Sequence, residues 1–231
     1  MFGLNPIMKQ EFTDGNKLRV VKSSPFRTLQ GEGPYAGHPA IFIRLHGCNL
    51  RCTFCDTQFS EPNDPERTVE ELVYDTKNLC SSNTKLVVIT GGEPLRQSII
   101  PLCAALRTGG FKVQIETAGT LWIPGLSHYA EVVVSPKTAH VHSSARDNAI
   151  AYKYVINADT EFFDGIPIAA TQPGTRPRAL AAPLEGCPVY LSPMDEYDPD
   201  KNKANIDAVA RAALKYGYIA GLQLHKIFKL D

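Results

Sequence analysis

Short runs of β-branched and aliphatic residues alternate along this chain with longer segments in which apolar residues recur at helical spacing. The short runs predict buried β-strands, because residues such as Val and Ile fit a pleated backbone. The predicted strands span residues 40–45, 85–90, 112–116, 131–135, 152–157, 189–192 and 219–225. The predicted helices span residues 68–79, 95–107 and 205–216. This alternation indicates an α/β fold with mostly parallel strands, in a partial barrel or an open doubly wound sheet.

Local signals support several of these boundaries. Thr68 and Glu71 form a capping-box pattern at the start of the first helix, and Gly109-Gly110 and Gly217 follow the other two. Four prolines interrupt residues 166–186. We therefore expect an irregular insertion at about 158–187, which either covers a functional site or lies on the surface. The chain as a whole is predicted to form a single domain spanning 1–231.

Unusual polar motifs follow the predicted strands, at the point where each strand ends. They occupy residues 46–57, 91–94, 116–120, 135–137 and 192–195. Because the carboxyl ends of parallel strands lie on one face of such folds, these motifs are predicted to converge on one cleft.

Composition narrows the possible partners and compartment. The chain has 231 residues and carries 24 Lys and Arg against 24 Asp and Glu, so it lacks the positive charge that drives nonspecific binding to nucleic acid. No run approaches the roughly 18 apolar residues of a membrane span, and no secretory signal pattern is visible. Three of the six cysteines are clustered and the other three are scattered, which does not resemble a disulfide framework, so a reducing compartment is favoured. We expect a cytoplasmic protein that binds neither nucleic acid nor membrane.

The most informative motif is the trio Cys48, Cys52 and Cys55. Three thiolates are one ligand short of a closed tetrahedral zinc site or a fully ligated iron–sulfur cluster. One alternative is a structural zinc site completed by His46 or by a remote cysteine. It is disfavoured because no second Cys-x2-Cys pair follows. The trio instead predicts a redox metal with one open position.

This C-x3-C-x2-C spacing, with Phe54 before the third cysteine, resembles the radical S-adenosylmethionine superfamily. The resemblance implies a 4Fe–4S cluster on Cys48, Cys52 and Cys55, whose open iron takes the amino and carboxylate groups of S-adenosylmethionine. Gly91-Gly92 after a strand allows close approach of a ligand, and Glu93 is expected to accept a hydrogen bond from the cofactor's ammonium group.

The pattern Gly31-x-Gly33-x-x-Ala36 superficially matches a dinucleotide-binding fingerprint. That interpretation is rejected because Pro34 and the following strand leave no helix N-terminus to bind pyrophosphate. The surrounding motifs instead resemble the 7-carboxy-7-deazaguanine synthase family. They occupy residues 26–34, 37–40, 42–48, 55–57, 90–94, 135–137, 193–195 and 225–226.

The family resemblance implies a lyase on an incomplete TIM-like βα barrel, acting in the biosynthesis of queuosine, a 7-deazapurine of tRNA. Its substrate would be 6-carboxy-5,6,7,8-tetrahydropterin, which undergoes radical ring contraction with loss of ammonia. The implied catalytic residues are Arg44, Thr90 and Glu116. The implied substrate contacts are Leu29, Gln30, Gly31, Arg44, Thr90 and Asp231. The implied S-adenosylmethionine contacts are Gly92, Glu93, Ser135, Pro136, Lys137, Ser192, Pro193, Met194 and Asp195, and Thr57 is the implied Mg2+ ligand.

Two positions depart from the family pattern: Ser192 stands where Gln is usual, and Ala118 where Asn is common. The resemblance further implies a homodimer and an electron donor such as flavodoxin or ferredoxin. Two rival hypotheses remain open at this point. One is a glycyl-radical activase, which shares the cysteine spacing but acts on a protein loop. The other is a noncatalytic zinc or iron–sulfur module that contacts RNA or a protein partner.

Overall fold

The computed structural model describes residues 5–81 and 84–230. Its centre is an eight-stranded, mostly parallel sheet. In chain order the strands are β1 (Lys17–Arg19), β2 (Phe26–Leu29), β3 (Pro39–Leu45), β4 (Glu66–Thr68), β5 (Leu86–Gly91), β6 (Lys112–Thr117), β7 (Glu131–Val134), β8 (Ala149–Ile156), β9 (Glu161–Phe163), β10 (Ile166–Ala169), β11 (Arg178–Ala179), β12 (Val189–Pro193) and β13 (Ile219–Ala220).

The central sheet has the order β13-β12-β8-β7-β6-β5-β3-β2. Every neighbouring pair is parallel except β2 with β3, which is antiparallel. In this register Arg44 lies opposite Thr90 at the carboxyl ends of β3 and β5. The predicted α/β fold with mostly parallel strands is confirmed, and the sheet forms an incomplete βα barrel. The single-domain organisation stays a prediction.

Five α-helices lie in the described residues: α1 (Val69–Leu79), α2 (Ile100–Thr108), α3 (Ser143–Asp147), α4 (Pro199–Tyr216) and α5 (Leu224–Ile227). The capping box at Thr68 and Glu71 is present in both directions. Helix α2 begins later than predicted because residues Pro94–Arg96 form a separate 3-10 turn. Helix α4 begins earlier, since the Asp198 side chain caps a polar first turn that apolar periodicity does not reveal.

Two expectations about the second half of the chain are wrong. The predicted strand at 219–225 ends at Ala220, and residues Leu224–Ile227 are helical. The chain turns away from the sheet edge there, and the Leu224 N–H donates to the carbonyl of Gly31 at 3.2 Å. The insertion is not irregular either, because it contains the three-stranded antiparallel sheet β11-β10-β9.

Alternation along the strands separates an apolar face from a polar one. Ile41, Ile43 and Leu45 of β3 belong to a large core cluster together with buried residues of α1, α2 and α4. The alternate residues Phe42 and Arg44 line a cavity on the opposite face. On β5, β6 and β8 the cavity is likewise lined by Thr90, Glu116, Lys153 and Val155, and Gly91 and Thr117 join them where β5 and β6 end. The cavity is therefore an inner barrel face in which polar side chains replace core residues.

No helix in residues 5–81 and 84–230 combines the length and the apolar character needed to cross a bilayer.

Cys103 on α2 is completely buried in the core, as expected for a structural thiol.

Candidate active site

A cavity of about 280 Å³ opens at the carboxyl ends of the parallel strands. Most of the residues selected from the sequence line it: Leu29, Gln30, Arg44, Cys48, Cys52, Cys55, Thr57, Thr90, Gly92, Glu116, Ser135, Lys137, Met194 and Asp195. Five others do not line it: Gly31, Glu93, Pro136, Ser192 and Pro193. Asp231 lies outside the described residues. The predicted convergence of strand-end motifs is therefore found.

The three cysteines of the trio share this cavity and are not in disulfides. Burial raises the pKa of Cys48 to about 12, and it also raises the pKa of Cys52 and Cys55. Within the described part of the chain, no three His, Cys, Asp or Glu side chains already converge closely enough to hold a metal ion. The donor set nevertheless suits an iron–sulfur cluster, because it places three soft ligands at one cavity. Binding would draw the thiols together and displace their protons.

His46 does not act as a fourth ligand in this arrangement. Its Nδ1 lies 2.7 Å from the carboxylate of Asp64, and both side chains are buried. The ring does not line the cavity. The pair instead fixes the start of the cysteine loop, which removes the main candidate for a closed zinc site.

The turn at Gly91-Gly92 packs directly on the cysteine loop. Gly91 has φ of +146°, a conformation that favours glycine. A Cβ atom added to Gly92 would lie 2.3 Å from the carbonyl oxygen of Gly47 and 2.7 Å from Cβ of Cys48. Glycine is therefore required here by the close approach of two protein segments.

Glu93 stands behind the cavity wall instead of in it. Its carboxylate accepts hydrogen bonds from the Thr117 hydroxyl at 2.7 Å, from the Leu95 N–H at 3.0 Å and from the Ala118 N–H at 2.8 Å. Burial raises its pKa. The carboxylate ties the residues that follow β5 to the end of β6, and the expected contact with a cofactor ammonium group stays a prediction.

A buried charge network that sequence reasoning missed crosses the cavity floor. Lys153 Nζ donates to Glu32 at 2.6 Å and to Glu116 at 2.7 Å, and Glu116 also accepts from Gln30 Nε2 at 2.7 Å. Burial opposes the lysine charge, but the two carboxylates outweigh it and raise the pKa of Lys153. Burial likewise opposes ionisation of Glu32, but Lys153 outweighs it and lowers the pKa of Glu32. The only signal in the sequence was a lysine in an otherwise apolar strand.

Arg44 is a cation with unused hydrogen-bonding capacity. Its Nη1 donates to the Thr57 hydroxyl at 3.2 Å, and its guanidinium lies 5.7 Å from the centre of the Phe26 ring. Its Nε is buried without a partner. Burial lowers the pKa of Arg44 against the opposing effect of nearby acids, Asp56 first among them. This group is suited to bind a carboxylate entering the cavity.

The C-terminal segment adds residues that were recognised only as motif positions. Lys226 Nζ bridges Asp56 at 2.9 Å and Asp195 at 2.8 Å. His225 lines the cavity, and burial lowers its pKa. A Cβ atom added to Gly31 would lie 1.9 Å from His225 Nδ1, so the predicted substrate residue Gly31 makes room for this imidazole.

The remaining predicted cofactor residues either line the cavity or lie behind its wall. Lys137 Nζ donates to the carbonyl and hydroxyl of Ser135 at the cavity wall, and burial lowers the pKa of Lys137. Met194 and Asp195 line both this cavity and an adjoining one of about 980 Å³. Ser192 is completely buried behind the wall, and its hydroxyl has no hydrogen-bond partner.

Comparison with known proteins gives a consistent picture. The Radical SAM superfamily model matches residues 42–141. The 7-carboxy-7-deazaguanine synthase of Rhodospirillum rubrum is 41% identical, with 100% of both chains covered. The chain belongs to the 7-carboxy-7-deazaguanine synthase family.

Two further relatives extend this assignment. The family member from Rickettsia prowazekii is 37% identical and covers 100% of this chain and 96% of its own. The crystal structure of QueE from Escherichia coli superposes with a TM-score of 0.62 at 26% identity, covering 90% of this chain and 94% of its own. The family fold, a partial TIM-like barrel, is thus the fold observed here. Membership in the radical S-adenosylmethionine superfamily implies a 4Fe–4S cluster, and its ligation by the cysteine trio stays a prediction.

Proposed function

We propose that this enzyme converts 6-carboxy-5,6,7,8-tetrahydropterin into 7-carboxy-7-deazaguanine with loss of ammonia, a step towards queuosine. One observation carries the proposal. A single cavity joins the cysteine trio to a free arginine N–H and to a buried Glu–Lys–Glu network, in a chain 41% identical to a synthase over its full length. The catalytic group would be Arg44, Thr90 and Glu116.

In this proposal Cys48, Cys52 and Cys55 hold a 4Fe–4S cluster. A reduced cluster with S-adenosylmethionine supplies a carbon radical that can remove a hydrogen atom from the substrate. The cofactor contacts would come from Gly92, from residues 135–137 and from residues 192–195. We propose that Glu93, Pro136, Ser192 and Pro193 act from behind the wall, because they do not line the cavity.

The substrate would be oriented by groups whose charges are complementary to it. Arg44 would bind the pterin carboxylate through its unpartnered Nε, and the opposing strand position Thr90 would meet the ring edge. Glu116 and Gln30 present a linked acceptor and donor, which match the amide and amino groups of a pterin. Lys153 would keep Glu116 in place and keep Glu32 ionised.

The remaining substrate contacts follow the wall of the same cavity. Leu29 would supply an apolar contact to the ring. Gly31 would contribute by admitting His225, and Asp231 remains a prediction from the family resemblance. A glycyl-radical activase would not need Leu29, Gln30 and Arg44 together, and the full-length identity of 41% to a synthase favours a small-molecule substrate.

The deciding experiment is anaerobic incubation of reconstituted enzyme with S-adenosylmethionine, reductant, Mg2+ and 6-carboxytetrahydropterin, followed by mass spectrometry. We expect a product lighter by ammonia, and none from a variant in which all three cluster cysteines are changed to Ala. Release of deoxyadenosine without this product would retain the radical chemistry and reject the substrate. A colourless protein that contains zinc would reject both.

We also propose Mg2+ as a second cofactor, held by Thr57 near the substrate carboxylate. The neighbouring Asp56, which accepts from the Thr57 hydroxyl at 3.1 Å, supports this by adding an oxygen ligand of the type Mg2+ prefers. Chelation followed by readdition of Mg2+ should lower and then restore turnover. Unchanged turnover in the chelated enzyme would reject this role.

The cellular setting completes the proposal. We propose a cytoplasmic homodimer reduced by a flavodoxin or ferredoxin. Six free cysteines support a reducing compartment, and exposed Ile227 and Phe228 near the C-terminus support burial against a second copy. Analytical ultracentrifugation tests the dimer, since a monomer at micromolar concentration would reject it. Turnover driven by purified flavodoxin or ferredoxin, compared with dithionite, tests the donor.

A further inference from the structure

The insertion at 158–187 contacts the cysteine loop through two adjacent residues. The carbonyl of Thr171 accepts from the Thr53 N–H at 2.9 Å, and Gln172 Oε1 accepts from the Arg51 N–H at 2.9 Å. Gln172 Nε2 then lies 3.3 Å from the sulfur of Cys52. Three hydrogen bonds thus join the insertion to the loop on either side of one cluster cysteine.

The orientation of the Gln172 amide follows from these contacts. Because its oxygen accepts from a backbone N–H, its NH2 group must point the other way, where it lies 3.3 Å from the sulfur and 3.3 Å from the Thr171 hydroxyl. The segment itself is anchored, since the Thr171 hydroxyl donates to the carbonyl of Lys137 and the Thr175 hydroxyl donates to the carbonyl of Gln172 at 2.7 Å. The donor is therefore held in position by the barrel wall and by its own turn.

We propose that Gln172 is a positioning residue that holds Cys52 for cluster binding and donates an N–H···S hydrogen bond that raises the reduction potential of the cluster. The inference rests on the proposed function, which places a 4Fe–4S cluster on this cysteine. Reduction adds negative charge to the cluster and its thiolates, so a donor to sulfur stabilises the reduced state more than the oxidised one. The insertion thus takes part in the metal site.

Two substitutions separate the donor from the rest of the side chain. Gln172→Glu retains an oxygen for the Arg51 N–H but removes the donor and adds a charge. Gln172→Met has similar length, removes the donor and adds no charge. The matched control is Gln58→Glu, because Gln58 is exposed and lies three residues beyond Cys55. It reports the effect of an added charge near the loop without a lost donor.

Each full-length protein is reconstituted anaerobically, and its iron and sulfide content is measured. The cluster midpoint potential is then determined by a dithionite titration followed by electron paramagnetic resonance. We expect a lower cluster content in both Gln172 variants than in wild type and Gln58→Glu. In the clusters that do form, we expect a more negative potential in Gln172→Met, a further negative shift in Gln172→Glu, and a smaller shift in Gln58→Glu. Loss of the cluster from Gln172→Met, with an unchanged unfolding temperature of the apoprotein, also supports the positioning role.

The outcomes separate this inference from the proposed function. If the wild type binds no 4Fe–4S cluster, the proposed function is rejected and this inference with it. If the wild type and both Gln172 variants hold the cluster at the same potential, Gln172 has no such role, while the proposed function stands. A shift in Gln58→Glu as large as that in Gln172→Glu, with none in Gln172→Met, would assign the effect to charge alone and also overturn the inference.

Discussion

Replacing Lys153 by Met is expected to destabilise the protein in a way that depends on pH. Lys153 has only 5% of its side chain exposed, and it joins two carboxylates that are 13% and 16% exposed, those of Glu32 and Glu116. Methionine fills a similar volume but removes the ammonium group that donates to both acids. Removing one partner from a buried ion pair costs about 3–5 kcal/mol. Against a total stability of roughly 5–15 kcal/mol, this is a large fraction.

The pH dependence follows from the directions of the pKa shifts. The raised pKa of Lys153 gives stability that is complete below the ordinary lysine value of 10.5 and is lost as pH rises through the folded value. The lowered pKa of Glu32 gives stability that is complete above 4.5 and is lost as pH falls through the folded value. The wild-type contribution is therefore constant between these values. In the variant the largest remaining influence on the pKa of Glu32 is burial, which favours the protonated form, so the loss of stability should shrink on acidification.

The assay is urea unfolding of the apoprotein, followed by circular dichroism and by the fluorescence of the single tryptophan, Trp122. Measurements at about pH 8 and pH 5 give the free energy of unfolding for wild type and Lys153→Met. The matched control is Lys203→Met, whose exposed ion pair with Asp207 spans 3.0 Å. This control should lose at most about 0.5 kcal/mol.

A loss below about 1 kcal/mol at pH 8, or an equal loss at both pH values, would refute the reasoning, because neither outcome fits a buried charge network. A rescue experiment tests it independently. Adding Glu32→Gln and Glu116→Gln to Lys153→Met removes the uncompensated charges and should recover most of the stability. It should not recover turnover, since the proposed pterin contact of Glu116 is lost.

Three further predictions concern the walls of the cavity. Arg44→Lys should weaken substrate binding about tenfold, measured by anaerobic calorimetry, because lysine lacks the Nε–H donor proposed to bind the carboxylate. Gly31→Ala should lower the unfolding temperature and turnover, because its Cβ would lie 1.9 Å from Nδ1 of His225. Thr117→Val should cost about 1–3 kcal/mol in urea unfolding, because the buried carboxylate of Glu93 loses the donor at 2.7 Å.

Each of these has a contrary result, and two of them have a control variant. For Arg44, an unchanged dissociation constant would contradict the carboxylate assignment. For Gly31, adding His225→Ala should restore the unfolding temperature, and a failure to do so would place the clash elsewhere. For Thr117, the control is Thr28→Val, because the buried hydroxyl of Thr28 has no hydrogen-bond partner, so its removal should cost less than about 0.5 kcal/mol. Equal costs at the two threonines would contradict the role assigned to Glu93.

Local patterns predicted much of the sheet. Strands β3, β5, β6 and β7 lie within two residues of their expected bounds, because each is a short β-branched run between turn residues. The edge strand β13 was predicted too long. An edge strand has a partner on one side only, and here the chain turns away to bring Leu224 to the carbonyl of Gly31. The cysteine trio was recognisable because its ligands are neighbours in sequence.

The amino-acid sequence by itself determined the alternation of strands and helices, the family, and the placement of polar motifs at strand ends, since each depends on residues within a few positions of one another. Only the tertiary structure decided which side chains meet inside the barrel. Lys153 lies 121 residues from Glu32, and Gln172 lies 120 residues from Cys52. Such contacts depend on strand order, register and the path of the insertion, which local periodicity does not specify.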